Sequence, residues 1–527
     1  MLDGKNYIGN QVSKRGTVVF KTINPVLNTE NETEFFEASP AEVDEAVRLA
    51  SEAFPVFAET SNKDRATFLE AIADEILGLG TSLISTYCSE TGLPEGRAIG
   101  ERGRTVNQLR SFAKLVEEGS WVEAVIDTAQ PNREPIPKPD LRKIKIPLGP
   151  VVVFGASNFP LAYSSAGGDT ASALAAGCPV IVKGHPMHAG TGSLVASAII
   201  KAAQKTKMPN GVFSHLNSCS NRVGEELVKH PQVKAVGFTG SLRGGRALFD
   251  MATSRKEPIP LFAEMGSINP VVMLPEMLKN KHSEWAKTIA KSVTLASGQF
   301  CTNPGLLLGI KNSDMDQFIA ALADEISDIA PTSMLHPNIA ETYANNKAKM
   351  MKEPGTTTVA EYPNEVAPNF GRQTVLKVTA SAFKENPKLH EEVFGPYTLI
   401  IECQNLEELE IVVAKIEGQL TASVIATKEE LRGYDNLIGI LRERVGRLIF
   451  NGVPTGVEVC QAMQHGGPYP ATTDSRFTAV GVDAIKRWIR PVSYQDCPDE
   501  LLPPALKNSN PLGILRIVDG TYTQAKL

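Results

Sequence analysis

The chain has 527 residues, of which 42% are hydrophobic and 21% are charged, and its formal net charge is −6. This length allows two or more domains with full-sized cores, and the composition is ordinary for a soluble globular protein. The charges form no basic block and no apolar run reaches membrane-spanning length, so we expect neither a nucleic-acid partner nor a membrane partner.

The N-terminal segment, to about Gln130, is predicted to be largely helical. Amphipathic patterns begin at Pro40 and again around Asp64, and both are typical of helices. The proline-rich stretch 131–139 excludes a regular helix there. The alternating residues of 141–150 then predict an exposed strand.

From Val151 the sequence alternates between short apolar strands and helices. The predicted strands are 151–154, 180–183, 212–216 and 233–238, and the predicted helices are 162–176, 190–203, 222–229 and 241–253. This alternation predicts an α/β fold with a parallel, doubly wound sheet, because parallel strands need a crossover connection. A second α/β region is predicted from about Pro260 to Gly452, and extended structure from Arg490 onwards.

The seven cysteines are widely spread, odd in number and without a C-x-x-C pair. They therefore indicate neither a disulfide framework nor a zinc site. The eight histidines show no H-E-x-x-H spacing, so we expect no metal. The first residues lack a signal-peptide pattern, and a reducing cytoplasm is the expected location.

A doubly wound sheet favours a dinucleotide ligand, yet the G-x-G-x-x-G turn is absent. Gly78 and Gly190 each open a G-x-G tripeptide, but the third glycine is missing from both. Thr239, Gly240 and Ser241 instead connect a predicted strand to a predicted helix. Their small side chains allow backbone N–H groups to approach a phosphate at the helix N-terminus.

Cys301 is the candidate nucleophile. It follows a predicted helix at 283–293 and lies between Gly298 and Pro304, so its sulfur is predicted to project from a turn. A thiolate in that place can attack a carbonyl carbon if nearby dipoles or charges lower its pKa. For an isolated cysteine, a small buried hydrophobe is the alternative.

Five motifs that occur in a fixed order favour the interpretation of Cys301 as a nucleophile. They are V-F-G-A-S-N-F-P-L at 153–161, F-T-G-S at 238–241, A-E-M-G at 263–266, G-Q-F-C at 298–301 and E-V-F-G-P at 392–396. Together they resemble the aldehyde dehydrogenase superfamily over essentially the whole chain. The resemblance implies a Rossmann-like cofactor domain (1–133 and 151–259), an α/β catalytic domain (260–489) and a small β oligomerisation element (134–150 and 490–527).

The resemblance also implies roles for individual residues. Cys301 would form a thiohemiacetal that loses hydride to a nicotinamide and leaves a thioester. Asn158 and the Cys301 backbone N–H would form the oxyanion hole, and Glu264 would activate the hydrolytic water. Glu392 and Phe394 would position the nicotinamide ribose and ring.

The cofactor preference depends on residues after the second predicted strand. Lys183 matches the family lysine that reaches the adenine ribose. NAD-preferring members commonly have a glutamate where this chain has Pro186, and without that carboxylate a 2′-phosphate is not repelled. His185 and His188 are candidate donors to this phosphate. We therefore expect a preference for NADP, while NAD stays possible.

Segments in the C-terminal third of the chain narrow the choice of substrate class. Segments 450–459, 463–472 and 490–496, together with 100–105, resemble 2-oxoglutarate semialdehyde (2,5-dioxopentanoate) dehydrogenases of sugar-acid and hydroxyproline catabolism. A related branch that oxidises long-chain fatty aldehydes with NADP shares parts of this pattern and is the alternative. Candidate substrate contacts are Phe159, Arg104 and Arg110 (the arginines for a carboxylate), and Thr455 and Val457 along the tunnel. His465 is a candidate catalytic base, but the family mechanism does not require it, and its flanking glycines favour a loop near the substrate mouth.

A catalytically silent binding protein is the alternative from another class of function. The presence of Cys301, Glu264, Asn158 and Glu392 argues against it. Acylating relatives, which transfer to coenzyme A or phosphate, usually lack the Glu264 equivalent, so hydrolysis to a free acid is favoured. Strands at 141–147 and 513–518 resemble the family's oligomerisation strands, and as edge strands they predict a homodimer or homotetramer.

Overall fold

The computed structural model describes residues 2–527. Its strands are β1 Asn6–Ile8, β2 Gln11–Ser13, β3 Val19–Asn24, β4 Thr29–Phe36, β5 Val125–Asp127, β6 Leu141–Pro147, β7 Val151–Phe154, β8 Val180–Lys183, β9 Phe213–Leu216, β10 Ala235–Thr239, β11 Leu261–Glu264, β12 Pro270–Met273, β13 Leu306–Ile310, β14 Thr357–Glu361, β15 Thr374–Thr379, β16 Tyr397–Cys403, β17 Gln419–Ile425, β18 Val445–Phe450, β19 Ile489–Gln495, β20 Arg516–Val518 and β21 Thr521–Thr523.

The helices alternate with these strands through most of the chain. They are α1 Pro40–Ala58, α2 Asn62–Gly78, α3 Gly80–Thr91, α4 Glu95–Glu118, α5 Gly168–Ala176, α6 Ala189–Lys205, α7 Arg222–Lys229, α8 Leu242–Thr253, α9 Pro275–Thr294, α10 Ser313–Asp328, α11 Pro337–Met350, α12 Ala380–Glu385, α13 Leu406–Lys415 and α14 Asp435–Arg444. Within the described chain, none of these helices combines the length and apolar character needed to cross a membrane.

The first sheet has seven strands in the order β11-β10-β7-β8-β9-β1-β2. The five strands from β7 to β11 are parallel, which confirms the predicted doubly wound sheet. Residues of β7 alternate between two apolar cores: Val151 and Val153 pack on the side of Trp488, whereas Val152 and Phe154 pack on the opposite side. Burying each of these side chains contributes about 1.5–3 kcal/mol. Packing on both faces fixes the strand ends at which the site lies.

The N-terminal segment is largely helical, as predicted, with α1 to α4, but the residues before α1 form the short strands β1 to β4, which were not predicted. The polar residues of these strands give little apolar periodicity. Helix α5 begins at Gly168, six residues later than predicted. The backbone N–H groups of Leu161 and Ala162 donate to the Glu101 carboxylate, at 2.8 and 2.9 Å, so this segment is held as a loop by another helix.

The second sheet has the order β14-β15-β16-β13-β12-β17-β18, with only β14 antiparallel. Strand β11 does not belong to it, since β11 pairs in parallel with β10 of the first sheet. The predicted boundary at 259/260 therefore falls one strand too early. Residues Val482–Trp488 also depart from the predicted division, because Ala484, Ile485 and Trp488 lie in the core of the first domain.

The third sheet has the order β19-β6-β5-β20-β21. The predicted strand at 141–147 is present as β6, and the one predicted at 513–518 is reduced to β20, Arg516–Val518. Neither is an edge strand: β6 lies between β19 and β5, and β20 lies between β5 and β21. The prediction of two edge strands is wrong because it could not count the partners each strand finds within its own chain. The free edges belong to β19 and β21.

Candidate active site

Cys301 lies on a turn between α9 and β13. The chain leaves α9 through Ala296, Ser297 and Gly298, whose φ angles are 47°, 55° and 65°. A side chain at Gly298 would collide with the carbonyl of Gly395, so glycine is required there. This reversal brings the cysteine beside the end of β11 in the first sheet.

Asn269 holds the loop that carries the nucleophile. Its Nδ2 donates to the backbone carbonyls of Cys301, at 2.8 Å, and Asn303, at 2.9 Å. Its Oδ1 accepts from the Thr421 hydroxyl, at 2.9 Å, and the residue is fully buried. The sequence analysis missed this residue, since nothing in its local pattern indicates a partner more than 30 residues away.

The side chains of Glu264 and His465 meet the Cys301 thiol. His465 Nε2 lies 3.7 Å from Cys301 Sγ and 3.0 Å from Glu264 Oε1. One polar atom from each of the three side chains lies within 4.8 Å of the other two. Glu264 is 4% exposed and His465 only 1%, so the three groups interact largely out of contact with bulk water.

The predicted place of His465, in a loop near the substrate mouth, is therefore wrong. Its backbone N–H donates to Thr478 Oγ1 at 2.9 Å, which ties the segment into the interior. The glycines that suggested an exposed loop instead permit close packing. A side chain at Gly467 would collide with the carbonyl of Gln419, and one at Gly446 would collide with that of Gly466. The segment consequently packs against the start of β17 and β18.

The pKa of the Cys301 thiol is raised well above its usual value. Burial is the main cause, and the carboxylates of Glu264 and Glu392 add to it, while Arg104 acts in the opposite direction. An attack by a thiolate requires nearby groups that lower this pKa, and the Arg104 guanidinium is one such group. The thiol is accordingly protonated at neutral pH until a base removes its proton.

Asn158 lies next to the nucleophile loop, with its Nδ2 donating to the carbonyl of Gln299 at 3.1 Å. An amide nitrogen carries two hydrogens, so the second can face a developing oxyanion. The Glu101 carboxylate, which also accepts from Tyr87 at 2.7 Å, fixes the following loop through Leu161 and Ala162. Glu101 was not predicted, because its partners come from two distant segments.

A cleft of about 250 Å³ adjoins Cys301. Among the residues lining it are the predicted catalytic and cofactor residues Asn158, Gly240, Ser241, Glu392 and Phe394. Ser241 caps α8 by accepting from the Gly244 N–H, and a Cβ at Gly240 would meet the Phe238 ring at 2.6 Å. Burial raises the pKa of Glu392 to about 7. A glycine-lined helix N-terminus beside a half-buried carboxylate fits the phosphate and ribose of a nicotinamide dinucleotide.

Lys183 ends β8, and burial lowers its pKa to about 8, with Glu37 acting in the opposite direction. His185 follows it, and burial holds the pKa of His185 well below the usual value. Its Nδ1 accepts from the Met187 N–H at 3.3 Å, which leaves Nε2–H as a neutral donor. His188 is not available to a ligand, because it is 1% exposed and its Nε2 contacts the Ala156 carbonyl at 2.8 Å.

A carboxylate that the sequence analysis missed lies near Lys183. Glu37 follows β4 and accepts from the N–H groups of Cys219 and Ser220, both at 2.9 Å. These hydrogen bonds outweigh burial and lower its pKa to about 2. Arg222 pairs with Glu37 at 3.0 Å and also with Glu226 at 3.2 Å, so its charge is shared between two carboxylates.

Arg104 is the predicted arginine that lies in the site. Its Nη2 donates to the Tyr163 hydroxyl at 3.2 Å, and its guanidinium lies 5.3 Å from the Tyr163 ring and 5.8 Å from the Phe159 ring. Tyr163, Phe159 and Phe300 form an apolar cluster beside the nucleophile. Arg447, which was not predicted, also lies close enough to interact with the Cys301 charge. Arg97 also lies over the Phe159 ring, at 4.4 Å, but it pairs with Glu101, so three cations adjoin the aromatic wall and Arg97 is already neutralised.

The other predicted substrate contacts have different outcomes. The prediction for Arg110 is wrong, because this side chain forms surface ion pairs with Glu70 and Asp74, at 3.2 and 2.9 Å. Six residues along a helix rotate a side chain by about 240°, so Arg110 and Arg104 occupy different faces of α4. Val457 packs against the aromatic cluster, whereas Thr455 is hydrogen-bonded to the Ser292 hydroxyl at 2.8 Å.

Comparison with known proteins gives concordant results. Residues 12–470 match the model of the aldehyde dehydrogenase family. The chain is 50% identical over 486 residues to "Alpha-ketoglutaric semialdehyde dehydrogenase 2" of Azospirillum brasilense, covering 92% of this chain and 93% of the relative. It is 44% identical over 529 residues to "Alpha-ketoglutaric semialdehyde dehydrogenase" of Acinetobacter baylyi, covering 99% of each. A crystal analysis of 1-pyrroline-5-carboxylate dehydrogenase from Thermus with bound NAD is similar in fold, with a TM-score of 0.78 at 20% identity, covering 94% of this chain and 92% of the other.

Proposed function

Because this chain belongs to the aldehyde dehydrogenase family, we propose that it oxidises 2-oxoglutarate semialdehyde to 2-oxoglutarate, with a preference for NADP. The family establishes the class, an oxidoreductase that acts on an aldehyde with NAD(P). The substrate is supported by two similar proteins named as α-ketoglutaric semialdehyde dehydrogenases. The observation that carries the proposal is Arg104, a cation beside the nucleophile that is bonded only to neutral groups.

The chain's own residues perform the chemistry as follows. Cys301 Sγ attacks the aldehyde carbon, and the oxyanion that forms is stabilised by Asn158 Nδ2 and the Cys301 backbone N–H. A bound oxidised nicotinamide supplies the acceptor for the hydride that leaves this carbon. The Glu264 carboxylate then takes a proton from the water that hydrolyses the cysteine thioester. The Gly240–Ser241 turn and the Glu392 carboxylate, which line the cleft, would hold the cofactor there.

Arg104 is the proposed cation that binds the substrate carboxylate. Among residues 2–527, Arg104 makes no ion pair with an acidic side chain, and its Nε has no hydrogen-bond partner. A half-buried cation with unused N–H groups favours an anionic ligand, because the pair offsets the cost of withdrawing each charge from water. A fatty aldehyde has no group for this cation. The dicarbonyl acid, with a carboxylate at the far end from its aldehyde, therefore fits better.

The substrate proposal is tested by comparing three aldehydes. The full-length enzyme is given NADP with 2-oxoglutarate semialdehyde, glutarate semialdehyde or a long-chain aliphatic aldehyde, and kcat/KM is measured. We expect the highest value for 2-oxoglutarate semialdehyde. A higher value for the aliphatic chain would overturn the substrate but keep the reaction class. Activity without added coenzyme A or phosphate is expected, since Glu264 provides for hydrolysis.

The residues at the end of β8 support the proposed preference for NADP. Pro186 leaves the position without a carboxylate, Lys183 and His185 offer N–H donors, and Arg222 pairs with Glu37. A 2′-phosphate consequently meets two donors and no carboxylate at the position of Pro186. The ratio of kcat/KM for the two cofactors tests this, and a ratio that favours NAD would refute it.

Assembly into a homodimer or homotetramer is supported by the third sheet. Its edges, β19 and β21, present unpaired backbone groups, and Tyr522 of β21 is 70% exposed. Leu501, Leu512 and Leu515 add exposed apolar surface in the same C-terminal segment. Such edges are covered when a symmetric partner adds its own strand. Sedimentation at micromolar concentration tests this, with a lone monomer as the contrary result.

A further inference from the structure

We propose that His465 is a catalytic residue of this enzyme: its Nε2 removes the proton of the Cys301 thiol, and the Glu264 carboxylate stabilises the imidazolium that forms. This inference rests on the proposed function and adds the group that activates its nucleophile. The proposed reaction requires a thiolate at Cys301, whereas the structure buries this thiol beside two carboxylates.

The geometry places a single nitrogen between the two acidic groups. His465 Nε2 contacts both Cys301 Sγ, at 3.7 Å, and Glu264 Oε1, at 3.0 Å. The contact with sulfur is a hydrogen bond, whereas the contact with Glu264 has the distance of an ion pair, and among the described residues neither Glu264 oxygen has a hydrogen-bond partner. A ring nitrogen between a sulfur and a carboxylate oxygen interacts most favourably with both when the nitrogen is protonated and the sulfur and the carboxylate are anions. The arrangement therefore matches the activated state of the site.

Electrostatics favours the same assignment. A thiolate beside Glu264 and Glu392 in a buried site is unfavourable, because like charges repel strongly at low dielectric. An imidazolium between the thiolate and Glu264 converts that repulsion into two attractions. Proton transfer from Cys301 to His465 also leaves the total charge of Cys301, His465 and Glu264 unchanged, so no net charge is created in the interior.

Glu264 is the other base that contacts the thiol, and in the proposed reaction it takes the proton of the hydrolytic water. The remaining groups that face the thiol do not replace His465. Burial raises the pKa of the Tyr163 hydroxyl, which stays neutral and is a poor base. Arg104 and Arg447 are cations without a lone pair to accept a proton, although both stabilise a thiolate. Glu392 is an acceptor, but it lines the cofactor cleft. The His465 ring also lies 6.1 Å from the Tyr163 ring, which restricts its orientation.

The proton and electron pairs balance through the cycle. The S–H bond breaks, an N–H bond forms at His465 Nε2, and the electron pair left on sulfur forms the bond to the aldehyde carbon. When water hydrolyses the thioester, the C–S bond breaks and its electron pair returns to sulfur, while Glu264 takes the proton of the water. The Nε2 proton then returns to sulfur, so His465 ends each turnover neutral and Glu264 releases its proton to solvent.

Alkylation of Cys301 tests this step without any aldehyde or cofactor. The full-length enzyme is treated with iodoacetamide over a range of pH, and modification of Cys301 is followed by mass spectrometry of its peptide, since Cys219 and Cys460 are also exposed. We expect Cys301 of the wild type to react at its full rate already below the pH at which a free thiol titrates, near about 8.5. A wild-type profile that follows only the free thiol would overturn the proposal, and this result needs no variant.

The variant His465→Gln gives the second test, with His230→Gln as its matched control. His230 is a surface histidine whose only acidic partner among the described residues is Asp44, at 3.3 Å. At neutral pH we expect His465→Gln to slow Cys301 alkylation and the pre-steady-state burst of NADPH by about 100-fold, with recovery at alkaline pH. The control should match wild type. Equal alkylation rates in His465→Gln and wild type would refute the role, even if the preferred aldehyde proves to be a different one.

Discussion

Replacing Arg104 by methionine removes the guanidinium beside Cys301 while retaining the length of the side chain. In the proposed complex this guanidinium donates to the substrate carboxylate, and each charge-assisted hydrogen bond contributes about 1.5–3 kcal/mol. Because Arg104 is half-buried, we take about 3 kcal/mol for the pair of N–H groups together. This corresponds to about 100-fold in kcat/KM, since 1.36 kcal/mol is tenfold.

The assay compares 2-oxoglutarate semialdehyde with a neutral aldehyde of similar length. Arg104 also lowers the pKa of the Cys301 thiol, so its loss is expected to slow both substrates at neutral pH. Only the ratio of the two kcat/KM values isolates the carboxylate contact, and this ratio should fall by about 100-fold in Arg104→Met. Arg110→Met, which removes an arginine of the same helix from a surface ion pair, is the matched control. An unchanged ratio in Arg104→Met would refute the assignment of Arg104 to the substrate carboxylate.

Three further predictions follow from individual contacts. Asn158→Ala should reduce kcat by about 100- to 1000-fold with little change in KM, because it removes one donor to the oxyanion; a change in KM alone would contradict that role. Arg222→Ala should lower the NADP-to-NAD ratio of kcat/KM by about tenfold or more, since unpaired Glu37 would repel a 2′-phosphate; an unchanged ratio would count against it. Glu37 has a folded-state pKa of about 2 against an ordinary 4.5, so its stabilisation is complete above pH 4.5 and is lost as pH falls towards 2. Urea denaturation across this range should show a decline in the wild type that Glu37→Gln lacks, and parallel declines would contradict the assignment.

Local patterns in the sequence predicted the parts of the fold that depend on local chemistry. The run Val151-Val152-Val153-Phe154 predicted β7 with its observed bounds, because a strand buried on both faces is apolar throughout. The turn at Cys301 was predicted from its flanking glycine and proline. Strands β1 to β4 were missed because they are short and largely polar, so neither period nor composition distinguishes them from loops.

The contacts between distant segments could not be predicted in the same way. His465 was predicted in a loop near the substrate mouth, yet it is buried and contacts Cys301 from 164 residues away. Glu37 approaches Lys183 from another strand, and Asn269 reaches the Cys301 carbonyl across a turn. Arg110 was predicted to contact the substrate because of its charge, but it lies on a face of α4 that points to the surface and not to the site. Each of these depends on how elements pack, which no local pattern encodes.

The most direct test of the account is NADPH formation from 2-oxoglutarate semialdehyde by the wild type and by Cys301→Ala, with no coenzyme A present. The account predicts sustained turnover in the wild type, accumulation of an acyl-enzyme on Cys301 after acid quench, and loss of both in the variant. Turnover by Cys301→Ala, or a wild type that oxidises no aldehyde with either NADP or NAD, would contradict it.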